Sequence, residues 1–315
     1  MRVLVTGAAG FVGAWLVRGL AADGHTVVAA GQEGHAAPAD AAGAEWVGID
    51  VTSTDSVAAV MERAAPEAVV HLAGQASVGD SFHDPLGTWD VNATGTLRIA
   101  AALPKGARLL LVSSAEAYGS VPEAEQPIRE ERPLRPCNPY AASKAAAEMA
   151  ALQAGESGGI RVVVARSFNH TGPGQDERFA LSSFARQLAL IRAGGAEPVL
   201  RVGNLSARRD LLDVRDVVRA YALLVTAGAP GTVYNVCSGE ARSMETAVQE
   251  LVELSGTKAR LEVDPDRVRP VDVPLLLGDN ARLRGLGWEP RIPFRQTLAD
   301  LLEWQAARLD ARAAA

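Results

Sequence analysis

The alternation of two kinds of segment constrains the fold of this chain more than any other feature. Short apolar runs of the strand type are separated by amphipathic stretches such as GAWLVRGLAADG and TSTDSVAAVMERAA. Such an order predicts βαβ units that build a parallel sheet with right-handed crossovers. The candidate strands are residues 2–7, 25–31, 44–50, 68–74, 108–114, 161–167 and 232–239. We therefore predict an α/β fold with a doubly wound parallel sheet.

The rhythm changes after residue 167, and this change predicts a second, smaller lobe. A loop-rich segment with glycine and proline follows, the alternation returns at 213–238, and two helical stretches (243–255 and 295–311) flank a proline-rich connection. We expect a discontinuous C-terminal lobe to interrupt the later part of the sheet domain. The predicted units are a sheet domain of residues 1–167 plus about 209–239, and a lobe of residues 168–208 plus 240–315.

A glycine-rich turn, TGAAGFVG, directly follows the first predicted strand and opens the first predicted helix. Gly7, Gly10 and Gly13 permit a tight turn and the close approach of a pyrophosphate to the helix N-terminus. Free N–H groups and the helix dipole favour an anion at that position. The turn in this context predicts a Rossmann-type dinucleotide site, and Phe11 and Val12 belong to the same turn.

Charge and cysteine content argue against several other classes of protein. The net charge is −6 with the two signs interspersed, so no nucleic-acid-binding face is expected. No apolar run approaches the ~18 residues of a membrane helix, and the first strand begins at Arg2, leaving no room for a signal peptide. Cys137 and Cys237 are too few for a disulfide framework and lack metal-ligand spacing. We expect a cytoplasmic protein without a metal centre.

A Y-x-x-x-K pair, Tyr140 and Lys144 in NPYAASKAAAE, carries the predicted proton chemistry. Positions four apart share one face of a helix, so the ammonium would lie beside the phenol. An unperturbed tyrosine has a pKa of about 10 and is a poor base at neutral pH. A neighbouring Lys⁺ and an oxidised nicotinamide both stabilise the phenolate and lower that pKa, so that Tyr140 could exchange a proton with a carbinol.

Together with the glycine turn and Ser114 at a strand end, this pair resembles the Ser–Tyr–Lys set of the short-chain dehydrogenase/reductase superfamily, in its extended branch. The resemblance implies hydride transfer at a sugar carbon. In that reaction Ser114 would orient the substrate oxygen, Tyr140 would act as acid or base, and Lys144 would hold the cofactor ribose and tune Tyr140. The other residues that the resemblance places at the cofactor are Asp50, Val51, Leu72, Ala73, Gly74, Asn92 and Ser113.

The end of the second predicted strand bears on which cofactor is used. NAD enzymes usually place Asp or Glu there to bind the ribose diol. This sequence has Gly31 and Gln32 instead, so a 2′-phosphate would not be repelled. No Arg or Lys lies nearby to bind that phosphate. We expect NADP(H) to be favoured, with NAD(H) as the alternative.

The string ARSFNHTGPGQ (165–175) resembles the nucleotide-sugar subgroup that holds the GDP-mannose 4,6-dehydratases and the GDP-4-keto-6-deoxy-mannose reductases. VGNLSARRDLLDVRDVVRAY, VRPVDVPLLLGD and LGWEPRIPFRQTL support it, so the resemblance spans nearly the whole chain. A GDP-sugar is the implied partner. The resemblance implies that Asn169 lies in the diphosphate region and that Arg209 and Arg269 hold the diphosphate, for which a planar guanidinium is suited. The implied substrate site also includes Ser77, Arg186 and Arg201.

Glu116, in SSAEAYG, leaves several reactions open. In the resembling 4,6-dehydratases a glutamate here removes the C5 proton after oxidation at C4, and Asp or Ser precedes it. In this chain the preceding residue is Ala115, which cannot donate a proton. A 4-ketoreductase needs no such base, and PLRPCNPYAASK and FNHTGPGQ look more like the reductases. A 4-epimerase and a non-catalytic nucleotide-sensing protein are further alternatives on this fold.

The function expected from the resemblance is NAD(P)H-dependent reduction of the C4 ketone of GDP-4-keto-6-deoxy-D-mannose, giving a GDP-6-deoxyhexose such as GDP-D-rhamnose. Glu116 would then be an inherited residue that binds a sugar hydroxyl. Related enzymes dimerise through two helices, which correspond to about 86–102 and 140–156. The alanines of YAASKAAAEMAAL would permit close packing in the four-helix bundle of a homodimer.

Overall fold

The computed structural model of the chain describes residues 1–34, 43–267 and 273–313. A parallel sheet lies at its centre, and each of its seven strands overlaps a run predicted as a strand. The strands are β1 (Arg2–Thr6), β2 (Thr26–Gln32), β3 (Glu45–Ile49), β4 (Ala68–His71), β5 (Arg108–Ser114), β6 (Arg161–Ser167) and β10 (Thr232–Val236). Their order is β10-β6-β5-β4-β1-β2-β3. After β1, strands β2 and β3 are added on one side of it and strands β4, β5 and β6 on the other, so the strand order reverses beside β1. Ligands bind at such a point in doubly wound sheets.

Helices cover both faces of this sheet because successive strand side chains point to opposite sides. Val3 and Val5 of β1 pack into one core with α1 (Phe11–Ala22) and α8 (Val214–Ala227). Leu4 packs into a second core on the other face. The helices of that second face are α2 (Thr54–Ala64), α5 (Gly95–Ala102) and α6 (Pro139–Gly158).

The segment before α5 is helical but irregular. It comprises α3 (Val78–His83), α4 (Pro85–Trp89) and one π-helical turn, Asp90–Thr94, that runs into α5. The helix predicted at about 86–102 is therefore present, with a π turn inserted in it. Asn92 in this turn is buried, and its amide donates to Ser143 Oγ of α6 at 2.9 Å. This contact helps to seat the irregular helix against α6.

The remaining elements form a smaller assembly at the carboxyl edge of the large sheet. Two short sheets contribute β7 (Asn169–Thr171), β8 (Val199–Val202), β9 (Arg208–Asp213), β11 (Ala241–Ser243), β12 (Arg260–Val263) and β13 (Leu275–Leu276). The helices are α7 (Ala180–Arg192), α9 (Met244–Ser255), α10 (Ala281–Arg284) and α11 (Phe294–Ala313). A separate apolar core joins α7, α9 and α11, with Leu188, Leu251 and Leu298 at its centre.

Membrane-spanning helices and metal-binding clusters are both absent from the part of the chain that the structure describes. None of its helices is long and apolar enough to cross a membrane. No group of His, Cys, Asp or Glu side chains in residues 1–34, 43–267 and 273–313 could hold a metal ion. Cys137 is an exposed free thiol and Cys237 a buried one.

Candidate active site

A cleft of about 2270 Å³ runs from the glycine turn to the smaller assembly. Sites for one small molecule usually measure roughly 300–1,000 Å³, so this cleft has room for two ligands side by side. It lies at the carboxyl ends of the central strands, between the large sheet and α7. Residues from the glycine turn and residues from the Ser–Tyr–Lys set line the same continuous space.

The glycine turn is shaped for close approach of a phosphate. Gly7 has φ +69°, and a Cβ there would lie 2.8 Å from the backbone nitrogen of Ala73. A Cβ on Gly13 would lie 2.3 Å from the carbonyl oxygen of Gly7, so neither position has room for a side chain. α1 begins at Phe11 after Gly10, which has no side chain to cap the first N–H groups. These free donors at the cleft fit the pyrophosphate of a dinucleotide.

The predicted adenosine end is built on the ends of β2 and β3. Asp50 and Val51 line the cleft there. Asp50 Oδ1 accepts hydrogen bonds from the Thr52 hydroxyl (2.7 Å) and from the Thr52 backbone N–H (2.8 Å), which lower the pKa of the Asp50 carboxyl. Asp50 is therefore held as an anion, in an orientation fixed by the next turn of chain.

Two observations bear on the cofactor prediction made from Gly31 and Gln32. A Cβ on Gly31 would lie 2.3 Å from the indole of Trp46, so packing accounts for the glycine. Glu33, which the sequence reasoning did not select, also lines the cleft. Its Oε1 accepts from Ser56 Oγ at 2.5 Å. A carboxylate thus lies one residue beyond β2. The sequence could have indicated it, because Glu33 is the acidic residue that directly follows that strand.

The reaction centre combines the end of β5 with the first turns of α6. Ser114 is the last residue of β5, and its side chain hydrogen-bonds to the phenol of Tyr140. Asn138 caps α6 by accepting from the Ala141 N–H at 2.7 Å, which fixes the first turn that carries Tyr140. Lys144 Nζ donates to the carbonyl oxygen of Val112 at 2.8 Å. The structure therefore brings together the three residues predicted from the motif.

Burial controls the protonation of this centre before any ligand binds. It raises the pKa of Tyr140 to about 12, although the hydrogen bond with Ser114 acts in the opposite direction. It also lowers the pKa of Lys144 to about 8, against the attraction of Glu148. Tyr140 is a protonated phenol at neutral pH, which suits a proton donor. Lys144 keeps most of its positive charge at that pH.

Glu116 lies in a short 3₁₀ turn, Ala115–Tyr118, immediately after Ser114. Its backbone N–H donates to Ser114 Oγ at 3.2 Å, and its Oε2 accepts from Asn138 Nδ2 at 3.3 Å. The side chain lines the cleft, and its charge contributes to the high pKa of Tyr140. Glu116 is thus placed among the reacting groups, while Ala115 beside it is buried and apolar.

The predicted substrate residues are only partly brought together. Ser77, Asn169, Arg186 and Arg209 line the cleft with the reaction centre. Arg209 Nη1 donates to the carbonyl oxygen of Val273 at 2.6 Å, which holds this guanidinium against the backbone.

Three of the predicted ligand-binding residues are not found among the described residues of the cleft wall. Arg201 lies outside the lining, and its Nη1 pairs with Glu262 Oε1 at 2.8 Å. Asn92 is buried behind the lining, where it also donates to the carbonyl oxygen of Gln75 at 3.0 Å. Arg269 lies outside the described residues.

Sequence reasoning also missed the contact between the cofactor helix and the loop that follows Asn169. The ring of His170 stacks on Phe11 with centroids 6.1 Å apart. Trp15 Nε1 donates to the carbonyl oxygen of Pro173 at 2.8 Å. Both contacts join residues about 160 positions apart in the chain, so no local pattern could reveal them.

Comparisons with known proteins agree with this geometry. Residues 4–301 match the family model described as GDP-mannose 4,6 dehydratase. A GDP-6-deoxy-D-mannose reductase from Pseudomonas aeruginosa is 39% identical over 310 residues, which are 97% of this chain and 97% of that protein.

Two solved structures place the likeness in three dimensions. The structure of RMD from Pseudomonas aeruginosa complexed with NADPH has a TM-score of 0.87 and 37% identity, covering 98% of this chain and 100% of that one. A UDP-glucose 4-epimerase from Thermus thermophilus in complex with NAD has a TM-score of 0.86 and 30% identity, covering 97% and 99%. Since the family model and the relatives span nearly its full length, this chain belongs to the GDP-mannose 4,6-dehydratase family of nucleotide-sugar enzymes.

Proposed function

We propose that this protein reduces the C4 ketone of GDP-4-keto-6-deoxy-D-mannose with NAD(P)H and yields a GDP-6-deoxyhexose such as GDP-D-rhamnose. One observation carries the proposal above the others. A protonated, buried Tyr140 is hydrogen-bonded to Ser114 at the cleft, and the position beside Glu116 is the apolar Ala115. The centre can therefore donate a proton to a ketone but lacks the acid that would help water to leave. The reductase activity named for the Pseudomonas relative supports the same assignment.

The chemistry follows from which proton each side chain holds. A bound nicotinamide supplies the hydride. The hydroxyls of Ser114 and Tyr140 contact each other, so a single carbonyl oxygen placed between them could accept from both. Tyr140 donates its proton as that oxygen gains negative charge, and the ammonium of Lys144 on the same helix stabilises the phenolate that remains.

The residues of the glycine turn, Asp50 and Lys144 would hold the cofactor. The predicted preference for NADP(H) has support from the NADPH complex of the Pseudomonas structure. Glu33 acts against it, because a carboxylate on that wall would repel a 2′-phosphate. Our proposal keeps NADP(H) as the favoured cofactor and NAD(H) as the alternative, with Glu33 as the residue that limits the preference.

A second candidate reaction has an observation in its favour. The carboxylate of Glu116 lines the cleft and is held by Asn138, as a base for a C5 proton would need to be. Dehydration of GDP-mannose would then be the activity. Glu116→Gln separates the two reactions: a reductase keeps its rate within ~3-fold, whereas a dehydratase loses the ~10²–10⁴-fold that a general base supplies.

The division of labour between the two units is also a proposal. Residues 1–167 plus about 209–239 would bind the cofactor, and residues 168–208 plus 240–315 would bind the nucleotide sugar. The cleft between the large sheet and α7 supports this division, since it is lined from both sides. The cytoplasmic location predicted from the cysteine content stays a prediction.

A homodimer through a four-helix bundle is supported by an exposed apolar surface. α3, α4 and α5 all pack against α6, and large apolar side chains on these four helices face outward. Their exposed fractions are 59% for Phe82, 83% for Leu86, 46% for Trp89, 44% for Leu97 and 70% for Met149. Apolar surface of this kind commonly marks a protein interface. Leu86→Glu should convert a dimer into a monomer in light-scattering measurements, and a monomeric wild type would contradict the proposal.

Mixing the protein with GDP-4-keto-6-deoxy-mannose and reduced nicotinamide tests the proposed reaction. The expected result is a loss of absorbance by NADPH or NADH that matches the ketosugar consumed. A parallel tube holds GDP-mannose with oxidised cofactor. Elimination of water in that tube, without loss of absorbance in the first, would assign the chain to the dehydratases instead.

A further inference from the structure

A buried ion pair lies directly behind the reaction centre and takes no part in the proton transfer described above. Arg166 Nη2 donates to Glu148 Oε2 at 2.7 Å, and Arg166 Nε donates to both carboxylate oxygens at 3.0 and 2.9 Å. The two side chains are only 7% and 2% exposed. A buried pair often contributes no more stability than apolar side chains of similar volume. A contribution to the free energy of unfolding is therefore not a sufficient explanation for this pair.

Three further side chains extend the pair into a network. Ser113 Oγ donates to Glu148 Oε1 at 2.5 Å. Arg166 Nη1 donates to the hydroxyl of Tyr118 at 3.0 Å, and that hydroxyl donates to Asn235 Oδ1 of β10 at 2.7 Å. All of these side chains are buried, so each hydrogen bond lies in a medium of low dielectric where it holds its partners firmly.

The network reaches every element that carries a reacting side chain. Ser113 directly precedes Ser114, Tyr118 lies two residues after Glu116, and Glu148 follows Lys144 by one helical turn. Arg166 itself pairs with Ser113 in the ladder between β5 and β6. Glu148 and Arg166 thus connect the end of β5, the 3₁₀ turn and α6, and neither of them lines the cleft.

Such a connection matters because Ser114 and Tyr140 belong to different elements but must bind one ketone oxygen. Besides the contact between these two hydroxyls, two side-chain bonds join α6 to β5 near the site: Lys144 to Val112, and Ser113 to Glu148. The second of these depends on Arg166, without which Glu148 would be left as an unpaired buried charge.

We propose that Glu148 and Arg166 are positioning residues for the reduction, which set the spacing between Ser114 and Tyr140 by locking α6 to the end of β5. The inference rests on the proposed function. Arg166 offsets much of the charge of Glu148, but Glu148 still raises the pKa of Lys144 against the effect of burial, so the pair acts through geometry and, more weakly, through this charge. Its loss should affect the chemical step more than binding, because a displacement of ~1 Å in a reacting group can lower a rate ~100-fold.

Exchanging both members at once tests this role without leaving a buried charge alone. The double variant Glu148→Leu with Arg166→Met should keep a melting temperature close to wild type. Its kcat should fall ~10–100-fold, while KM for the ketosugar and Kd for NADPH change less than ~3-fold. A kcat within ~2-fold of wild type in a folded double variant would overturn the proposal, because a merely structural pair predicts that result.

A gentler pair of variants covers the case in which the double variant does not fold. Tyr118→Phe removes one hydroxyl from the network, and Tyr234→Phe removes a buried hydroxyl that accepts from the Ala229 N–H at 3.1 Å, away from the cleft. We expect kcat to fall ~5-fold for Tyr118→Phe and to stay within ~1.5-fold for Tyr234→Phe. Equal effects in the two variants would contradict a positioning role.

Hydrogen exchange separates failure of this proposal from failure of the proposed function. A wild type that does not reduce the ketosugar refutes the function alone. In that case amide exchange over residues 112–119 still decides the network. It should quicken in Tyr118→Phe and stay unchanged in Tyr234→Phe, and unchanged exchange in both would refute the locking of β5 to α6.

Discussion

The reaction centre and the substrate end of the cleft are built in different ways. Ser114, Tyr140 and Lys144 are 8–9% exposed, and each is held by an internal hydrogen bond. The arginines of the substrate end are more open to solvent, and Arg186 is paired with the exposed Glu177. The fold therefore fixes the proton chemistry before a ligand arrives. In our proposal, ligand choice depends on these more exposed arginines, which would exchange a protein partner for a phosphate.

The largest expected effect on activity comes from a substitution in the buried reaction centre. Tyr140→Phe removes the proton donor, so kcat should fall ~10³-fold, within the range for loss of a general acid. Affinity for NADPH and for a GDP-sugar should stay within ~3-fold in titration calorimetry, because the ring and its packing remain. A variant that turns over at the wild-type rate would mean that another group supplies the proton.

A buried histidine near the reaction centre should also make the free energy of unfolding depend on pH. Desolvation, with Lys144 nearby, lowers the pKa of His71 from 6.5 to about 3. Below pH 6.5 the unfolded state therefore binds a proton at His71 that the folded state does not bind. The full free energy of unfolding is present above pH 6.5 and decreases as pH falls towards 3. The loss should approach about 4 kcal/mol over that window.

Urea unfolding at several pH values checks this expectation. His71→Asn should flatten the decline of the unfolding free energy below pH 6.5, although it also loses the 2.7 Å contact with Thr6 Oγ1. The matched control is His83→Asn, which changes an exposed histidine and should leave the decline as it is in wild type. An equal slope in the His71 variant would show that other groups cause the acid sensitivity.

The substrate end should respond in KM rather than in kcat. Arg209→Met removes a guanidinium from the cleft wall, and KM for the GDP-sugar should rise ~10-fold, as expected for one charge-assisted hydrogen bond. Arg201→Met is the control, because Arg201 pairs with Glu262 outside the lining. Its KM should stay within ~2-fold of wild type. A larger effect at Arg201 than at Arg209 would reverse our placement of the diphosphate.

The smallest expected effect concerns the exposed carboxylate at the adenosine end. Glu33→Gln removes a negative charge from the cleft wall but keeps a group that can accept from Ser56. Kd for NADPH should fall ~3–5-fold and Kd for NADH should rise or stay constant, with screening by salt reducing both changes. Glu67→Gln changes an acid at the opposite end of the sheet and should alter neither value. Equal shifts for the two cofactors would remove Glu33 from the account of selectivity.

Features that depend on local sequence could be predicted, whereas contacts between distant segments could not. Buried parallel strands read as apolar runs, so all seven strands of the sheet could be predicted from local pattern. The glycine turn and the Y-x-x-x-K pair are also local, which is why Gly7, Gly13, Tyr140 and Lys144, all of which line the cleft, could be selected from the sequence. Contacts between distant segments were not readable: Arg166 lies 18 residues from Glu148, and Asn235 lies 117 from Tyr118.

The substrate arginines show the other limit of sequence reasoning. Motif likeness selected Arg201 as readily as Arg209, but whether a guanidinium faces the cleft depends on the pairing of β8 and β9 with their neighbours. The place of Trp46 over Gly31 is likewise set by the register between β2 and β3. The glycine at position 31 is therefore explained by packing against Trp46, and by itself it does not indicate which cofactor is bound.

The most direct measurement follows a labelled hydride. Protein is supplied with GDP-4-keto-6-deoxy-mannose and NADPH that carries deuterium at the transferred position, and the product is examined by NMR. Our account predicts deuterium at C4 of a 6-deoxyhexose, with one cofactor oxidised for each sugar. A ketosugar recovered without deuterium, together with water elimination from GDP-mannose in the matched tube, would contradict it and assign Glu116 the role of a base.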